Sequence, residues 1–520
     1  MKKITGIMNN FCKVLIKIER NGIKIDVDAL NKLEKEYLVE YSELEEKLNS
    51  LARQSLGDAT FNLASKDSLS SVIYSRKPLC KDAWARVFNL GGHIVNGVRK
   101  PKRPAKMSLN ELEKAILDNS EVIYKSKATQ CYNCKGSGKA RKLLKSGYLS
   151  DKATKCKCCK DGLIYTYTNK IGGFKQAPSS IHDLTVNGYK CSKEKLQELA
   201  KEAEGDAKDF LTSMVRFNAV THYLQAFIKG IRENVGNDGI LHSQFNQCTT
   251  TTGRLSSRNP NFHNQPRGGT FPIRKVIVSR WAGGSITESD YAQLEFRVAA
   301  SLAEDEVAIQ DIIDGRDVHQ YAADILSKNR QKTTRQDAKT HTFKPLYGGT
   351  SGTRAEKAYY KSFLSRYEGI KIWHKKLIDL ACTYKVLKLP SGRIYRFPWA
   401  WRNSFGMIEG ATKIKNYPVQ GFATADIVPM ATIALDKLYK EKQLKSLIIN
   451  EVHDSIVTDT YPGEEEMVAK LNIKAMTGVV NTLRSDFNYK FLVPLKVEVK
   501  NGANWLDMVV TAEGESQQIT

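Results

Sequence analysis

The chain has 520 residues, of which 41% are hydrophobic and 26% charged, the balance of a folded soluble protein with a large core and room for several subdomains. Lys and Arg outnumber Asp and Glu by 80 to 56, a net charge of +24; this is the electrostatic footprint of a polyanion binder, usually of nucleic acid, and the plainer reading is a generally solvated basic surface. No secretory signal is evident and no apolar run approaches the roughly 20 residues of a membrane span, so a secreted or membrane-inserted protein is not expected, and the ten cysteines are expected reduced in a cytoplasmic protein.

Within residues 11–52, Leu30, Leu33, Tyr37, Tyr41, Leu44 and Leu48 recur at helical spacing and predict a long amphipathic helix begun near Asp26 to Asp28. Residues 56–80 read as a loop and a short helix. From 81 to 180 the chain is rich in Lys, Gly and Cys and poor in periodicity. Residues 99–160 hold 17 Lys and Arg against 5 Asp and Glu, a local net of +12 and half of the total. This stretch reads as an insertion or a separate small module. Inside it, Cys131-x-x-Cys134 and Cys156-x-x-Cys159 have the spacing of a four-thiolate Zn²⁺ site, with Gly136, Gly138 and Gly162 to turn the knuckles and Cys158 as a spare thiol. A reduced, metal-free loop is the alternative. Residues 193–234 return to helix, 240–300 mix strands with loops, and 304–384 are mostly helical. A hairpin is predicted over 385–397, turning at Pro390, Ser391 and Gly392. A helix near 422–441, a strand pair over 447–459, a helix near 464–486 and a closing strand LKVEVK follow.

Three stretches carry chemistry. In NEVHDSIVTD, residues 450–459, Asp454 sits among strand formers, where an acid is costly unless something pairs with it or binds it. In SDYAQLEFRVAA, Asp290 follows the strand-like SITES and precedes a helix running from Gln293 to Leu302. Brought together, the two acids would make an oxygen-ligand site for Mg²⁺, and paired ions of this kind stabilise both oxygens of a phosphoryl transfer. Taken singly, Asp290 fits a helix cap and Asp454 a lysine partner. In TTRQDAKTHTFKPLYGG, Arg335, Lys339, Phe343 and Tyr347 are four residues apart and would form one helical stripe. Two cations would take the phosphates of a nucleoside triphosphate and two rings would cover its base and sugar; a core stripe is the alternative.

These segments, in this order, resemble the polymerase motifs of family A, the DNA polymerase I family. DYAQLEFR is similar to motif A (DYSQIELR), RQDAKTHTFKPLYG to motif B (RxxxKxxxFxxxYG) and VHDS to motif C (VHDE). TTTGRLSSRNPNFHNQP resembles the TGRLSS-x-x-PNLQNIP stretch, NYPVQGFATADI resembles NAPMQGTAAD, and VEVKNGANW resembles VEVGxGxNW. NGIKIDVDAL and LTVNGYKCSKEKLQELA resemble thumb segments. The likeness spans roughly residues 10–80 and 180–506, and its ordered set of motifs makes it specific.

The resemblance implies an α+β right-hand polymerase: a palm with an antiparallel sheet, helical fingers, and a helical thumb bearing the zinc insertion. The implied boundaries are thumb over 1–80 and 183–245, a basic four-cysteine module over 81–182, palm over 246–303 and 416–520, and fingers over 304–415. It implies a DNA-directed DNA polymerase that extends a primer 3′-OH with dNTPs on primer–template DNA, with two Mg²⁺ on Asp290 and Asp454 and one structural Zn²⁺. His319, Arg335 and Lys339 would contact the incoming triphosphate. Phe343 and Tyr347 would frame the nucleotide, and Glu295 would be the steric gate against a ribose 2′-OH. Arg254 and Gln420 would touch the primer–template minor groove, His453 the primer end, and Asn261 and Asn264 the template or primer. Phe343, where some relatives have Tyr, implies poor use of dideoxynucleotides.

Several positions depart from the pattern. Ser455 replaces a Glu, with Glu451 or Asp459 offered as compensation. Pro345 falls inside the motif B helix and reads as a built-in kink, since an interior proline costs about 3 kcal/mol. His263 stands for Gln and Ala292 for Ser. The thumb-like pattern begins within about the first ten residues, so no 3′–5′ exonuclease domain and no proofreading are expected. That layout looks phage-like, placing the protein in a host cytoplasm. A separate exonuclease polypeptide or a processivity factor would be further partners. CxxCxGxG resembles, over a short span, the zinc modules of DnaJ-type chaperones; the module is expected to extend the thumb's hold on DNA, with protein docking as the rival. Two other classes stay open: a single-subunit RNA polymerase, against which Glu295 and TGRLSS argue, and a DNA-binding scaffold without catalysis.

Overall fold

A computed structural model describes residues 2–59, 61–95, 98–143, 148–328, 332–404 and 406–517. The chain folds into two compact units, Met1–Leu33 with Ala226–Thr520, and Glu34–Gln225.

The first unit is built on a five-stranded antiparallel sheet. Its strands are β1 (Ser285–Tyr291), β2 (Leu447–Val452), β3 (Ser455–Thr460), β4 (Lys496–Gly502) and β5 (Val509–Glu515), in the order β2-β3-β1-β4-β5. Side chains alternate between faces, as a pleated strand requires. Along β1, Thr287, Ser289 and Tyr291 are buried on the back, while Glu288 and Asp290 lie on the front and are half-buried. The buried back is polar but satisfied. Tyr291 Oη donates to Met476 O at 2.7 Å, Asn472 Nδ2 to Ser289 Oγ at 2.8 Å, and Tyr439 Oη to Asn472 Oδ1 at 2.7 Å. These bonds fix the register that turns the acids of β1 outward, because a one-residue slip would bury them.

The helices that position the site are α1 (Leu294–Ala303), α2 (Val318–Lys328), α3 (Arg335–Thr342), α4 (Ala411–Gln420) and α5 (Val428–Glu441). They share one apolar core that includes Phe296, Val298, Phe363, Ile427 and Val497. Between α4 and α5 the helix widens at Gly421–Ile427. A Cβ on Gly421 would overlap the hydroxyl of Tyr395, which donates to Thr252 O at 2.7 Å, so only glycine admits that crossing. The hairpin predicted at 385–397 is formed by Val386–Lys388 and Ile394–Arg396.

Three expectations are corrected. The stripe from Arg335 to Tyr347 is not one continuous helix: α3 ends at Thr342, Phe343 caps it, and Pro345 opens a separate 3-10 turn, Pro345–Tyr347. Proline has no N–H for the helix ladder and its ring crowds the preceding turn, so the helix stops instead of kinking. The helix near 464–486 is two, Glu465–Thr477 and Val479–Phe487, parted at Gly478. The closing strand β4 has an outer neighbour, β5; its edge residues are largely exposed and so lack the apolar alternation that signals a strand.

The second unit has its own core, with Leu48, Trp84, Phe88, Leu196, Phe210 and Phe217 among its members. Trp84 and Phe88, from the 81–182 stretch, therefore pack with residues on both sides of that stretch in sequence. The stretch also contains helices Lys81–Val87 and Leu109–Asn119. Two antiparallel ribbons follow, Tyr124–Gln130 with Leu163–Ile171 and Lys139–Leu143 with Leu149–Lys155. Among the described residues no helix is long and apolar enough to cross a membrane.

Candidate active site and cysteine centre

Asp290 lies near the end of β1, opposite Ser455 on β3 and Glu498 on β4. Asp454 lies in the tight turn between β2 and β3, and the turn is held to β1 by Tyr291 N donating to Asp454 O at 3.2 Å. His453 makes the turn with φ of +59°. Two carboxyls are thus held side by side. The Asp290 carboxyl is raised well above its ordinary range by burial and then by the charges of Asp454 and Glu288. Asp454 is raised by burial, against the pull of the Arg267 charge. Asp290 Oδ1 is buried and accepts no hydrogen bond. Raised carboxyls and an orphaned oxygen are what a divalent-cation site presents without its ion, and hard oxygen donors suit Mg²⁺.

A cleft of about 630 Å³ opens beside the pair, lined by Asp290, Asp454, His319, Arg335 and Phe343 together with Arg316, Lys496 and Lys500. His319, in the first turn of α2, makes a 3.0 Å hydrogen bond between Nδ1 and Thr342 Oγ1. Its ring meets the Phe343 ring edge-on at 5.2 Å. Arg335 Nε donates to Asp317 Oδ2 at 2.5 Å, and the same carboxylate accepts the amides of His319 and Gln320, so one acid ties α2 to α3. Lys339 lies on α3, and its side chain falls outside the described residues. Tyr347 sits in the 3-10 turn, half-buried against the core.

A second group forms around Thr424. Arg254 donates from Nη2 to Glu295 Oε1 at 2.5 Å and from Nε to Thr424 Oγ1 at 3.2 Å, and Thr424 Oγ1 donates to Gln420 O at 2.8 Å. Burial raises the Glu295 carboxyl, against the Arg254 charge. Asn261 and Asn264 are exposed at the ends of a short turn, Phe262–Asn264, and Asn261 Oδ1 caps it by accepting His263 N at 3.1 Å. The rings of His263 and His453 are 6.3 Å apart.

The compensations offered for Ser455 do not hold. Glu451 points to the back of the sheet, where Oε2 accepts Thr432 Oγ1 at 2.6 Å. Asp459 accepts Arg280 Nε at 2.7 Å. Sequence reasoning missed the cations Arg316, Lys496 and Lys500, though Lys496 and Lys500 share the β4 face of Glu498 through the alternation in LKVEVK. It also missed Glu288, two residues before Asp290 and so on the same face.

The Cys131, Cys134 and Cys156 thiols, buried, and that of Cys159, half-buried, form a group whose sulfurs lie within 4.8 Å of one another. The closest pairs are Cys131–Cys156 at 3.9 Å and Cys134–Cys159 at 3.5 Å. A tetrahedral Zn²⁺ at about 2.3 Å from each thiolate separates its ligands by roughly 3.8 Å, so the set fits zinc. A Cβ on Gly162 would lie 2.1 Å from Gly136 O, so glycine is required where the two knuckles meet. Cys158 is exposed and outside the group.

Residues 172–507 match DNA polymerase family A. The chain belongs to that family. It is 30% identical over 341 residues to DNA polymerase I of Bacillus subtilis, covering 62% of this chain and 37% of that protein. Against DNA polymerase I of Lactococcus lactis subsp. cremoris it is 28% identical over 357 residues, covering 64% and 38%. The chain therefore matches under two fifths of the length of these relatives. Its fold is similar to the POL domain of Pol1 from M. smegmatis, solved with DNA primer-template and dNTP, with a TM-score of 0.62 at 21% identity, over 96% of this chain and 70% of that one.

Proposed function

We propose that the chain is a template-directed DNA polymerase that extends a primer 3′-OH with dNTPs. The observation that carries this is the pair Asp290 and Asp454 in a cleft that also presents the cations Arg316, Arg335, Lys496 and Lys500 and the Phe343 ring. The relatives named DNA polymerase I and the neighbour solved with primer-template and dNTP support it. Two Mg²⁺, held by Asp290 and Asp454, would stabilise charge on the attacking and leaving oxygens. Arg335, Lys339 and His319 bind the triphosphate, and Arg335 exchanges its Asp317 partner for phosphate oxygens. Phe343 and Tyr347 frame base and sugar. Glu295, held by Arg254, fills the space of a 2′-OH. Arg254, Gln420, His453, Asn261 and Asn264 position primer and template. The chain's residues contribute orientation and electrostatics, not covalent chemistry. In this reading the palm is 246–303 and 416–520 and the fingers 304–415; of the thumb expected over 1–80 and 183–245, residues 1–33 and 226–245 belong to the unit that carries the sheet, so the thumb is reduced to 34–80 and 183–225 around the four-cysteine module, which takes one structural Zn²⁺. Residues 1–520 extend without excising, so a labelled mismatched 3′ end stays intact.

The test is extension of a labelled primer on DNA with Mg²⁺ and either dNTPs or rNTPs, beside Asp454→Ala. Extension with dNTPs alone, abolished by the substitution, is expected. Equal use of rNTPs would favour an RNA polymerase, and no extension by the intact chain would leave a DNA-binding role.

A further inference from the structure

Two residues on the Asp290 face of the sheet stand in a relation that the polymerase reading does not use. Ser455 faces Asp290 across the β1–β3 ladder and is completely buried. Its Oγ lies 3.2 Å from Glu288 Oε1. Glu288 is on β1, two residues before Asp290, so both side chains leave the same face of the strand. The carboxylate of Glu288 thus reaches the point where a longer acidic side chain at 455 would end.

The plainer role for Glu288 is counter-ion to Arg274. That contact is loose, at 3.7 Å between Arg274 Nη1 and Glu288 Oε1. Arg274 is also held by another group, its guanidinium lying 3.9 Å from the centre of the Trp505 ring. Asp290 Oδ1, buried and without a hydrogen-bond partner, is an independent sign that this face presents an oxygen suited to a cation. Of the other acids near the pair, Glu451 turns to Thr432 and Asp459 to Arg280, while Glu498, opposite Asp290 on β4, is paired with Lys500.

We propose that Glu288 is the third carboxylate of the divalent-cation site, and that Glu288 and Ser455 are an exchanged pair: the acid that motif C lacks is supplied from motif A's strand. This rests on the reading of Asp290 and Asp454 as metal ligands. Glu288 adds negative charge and an oxygen donor on the β3 side of the pair. The Ser455 hydroxyl has two acceptors within reach, that carboxylate at 3.2 Å and Val452 O at 3.0 Å, so it supports the carboxylate without being committed to it. A glutamate at both positions would crowd four acids onto one site, which like-charge repulsion disfavours.

The experiment uses the full chain and Mn²⁺ as the probe, with free Mn²⁺ counted by electron paramagnetic resonance. Variants are Glu288→Gln, Glu288→Gln with Ser455→Glu, and Asp454→Asn, each checked for an unchanged unfolding midpoint at pH 6. Glu288→Gln is expected to weaken Mn²⁺ binding at least about tenfold, since loss of even an outer partner of a metal costs that much. Adding Ser455→Glu is expected to restore it, which a structural partner of Arg274 would not do. Primer extension at limiting Mg²⁺ should follow the same order. Unchanged Mn²⁺ affinity in Glu288→Gln, with loss in Asp454→Asn, would overturn the assignment of Glu288 alone. Unchanged affinity in both would overturn the reading of the metal site itself.

Discussion

Glu451 offers a stability measurement whose size follows from its surroundings. It lies on the back of β2, 2% exposed, with its carboxyl accepting the Thr432 hydroxyl. Burial pushes that carboxyl up from 4.5 to about 8, with the Thr432 bond acting in the opposite direction. The folded chain therefore keeps the group protonated at neutral pH, while the unfolded chain ionises it near 4.5. Above that pH the unfolded state binds fewer protons than the native state, so stability falls as pH rises from about 4.5 to about 8. At about 1.4 kcal/mol per pH unit the loss reaches about 3 kcal/mol by pH 7. Glu451→Gln keeps the shape and the bond from Thr432 and removes the ionisation. Urea unfolding followed by circular dichroism, from pH 5 to pH 8, should show the variant gaining about 3 kcal/mol on the parent across that range. Parallel profiles, offset by a constant, would refute the argument. Loss of primer extension in Glu451→Gln would place the residue in the metal site instead of behind it.

The remaining expectations concern the site and the cysteine centre. Cys131→Ser should lower bound zinc, measured by atomic absorption on the purified chain, from about one per chain towards none, since a closed tetrahedral site needs all four thiolates; Cys158→Ser should leave it unchanged. Phe343→Tyr should raise incorporation of dideoxynucleotides relative to deoxynucleotides, and an unchanged ratio in a competition assay would contradict the role given to that ring. Replacing residues 99–165 by a short linker should flatten the dependence of DNA affinity on log salt, because each phosphate contact contributes a slope of about −0.9; an unchanged slope and unchanged processivity would show that the module does not hold DNA. Arg393→Met should destabilise the chain by about 3–5 kcal/mol, the scale for stranding one partner of a buried ion pair, because Asp426 is fully buried and takes Arg393 Nε at 2.8 Å.

Much of the site was legible in the chain because its determinants are local. Asp290 at a strand end and Asp454 beside a strand pair follow from β-forming runs and turns, and the order of the motifs did the rest. The CxxC pairs announced their own geometry, since two thiols at that spacing converge on one point whatever surrounds them. Features that depend on partners distant in sequence were not legible. Glu451 and Asp459 were equal candidates for an acid beside Asp290 and Asp454 until packing set Thr432 beside one and Arg280 beside the other. Helix α3 was read five residues too long, to Tyr347 where it ends at Thr342, because a cation–aromatic stripe weighs period and Pro345 weighs backbone hydrogen bonding, and the second governs the end of a helix.

The sequence by itself determined the family, the two acids and the cysteine quartet, because ordered motifs and fixed spacings are properties of the chain. Only the tertiary structure decided which acids share a face of the sheet. Antiparallel register sets Ser455 opposite Asp290, and strand alternation turns Glu288 to the same face while sending Glu451 to the other. Register is a relation between strands more than 150 residues apart in the chain, and it is fixed by what each face buries.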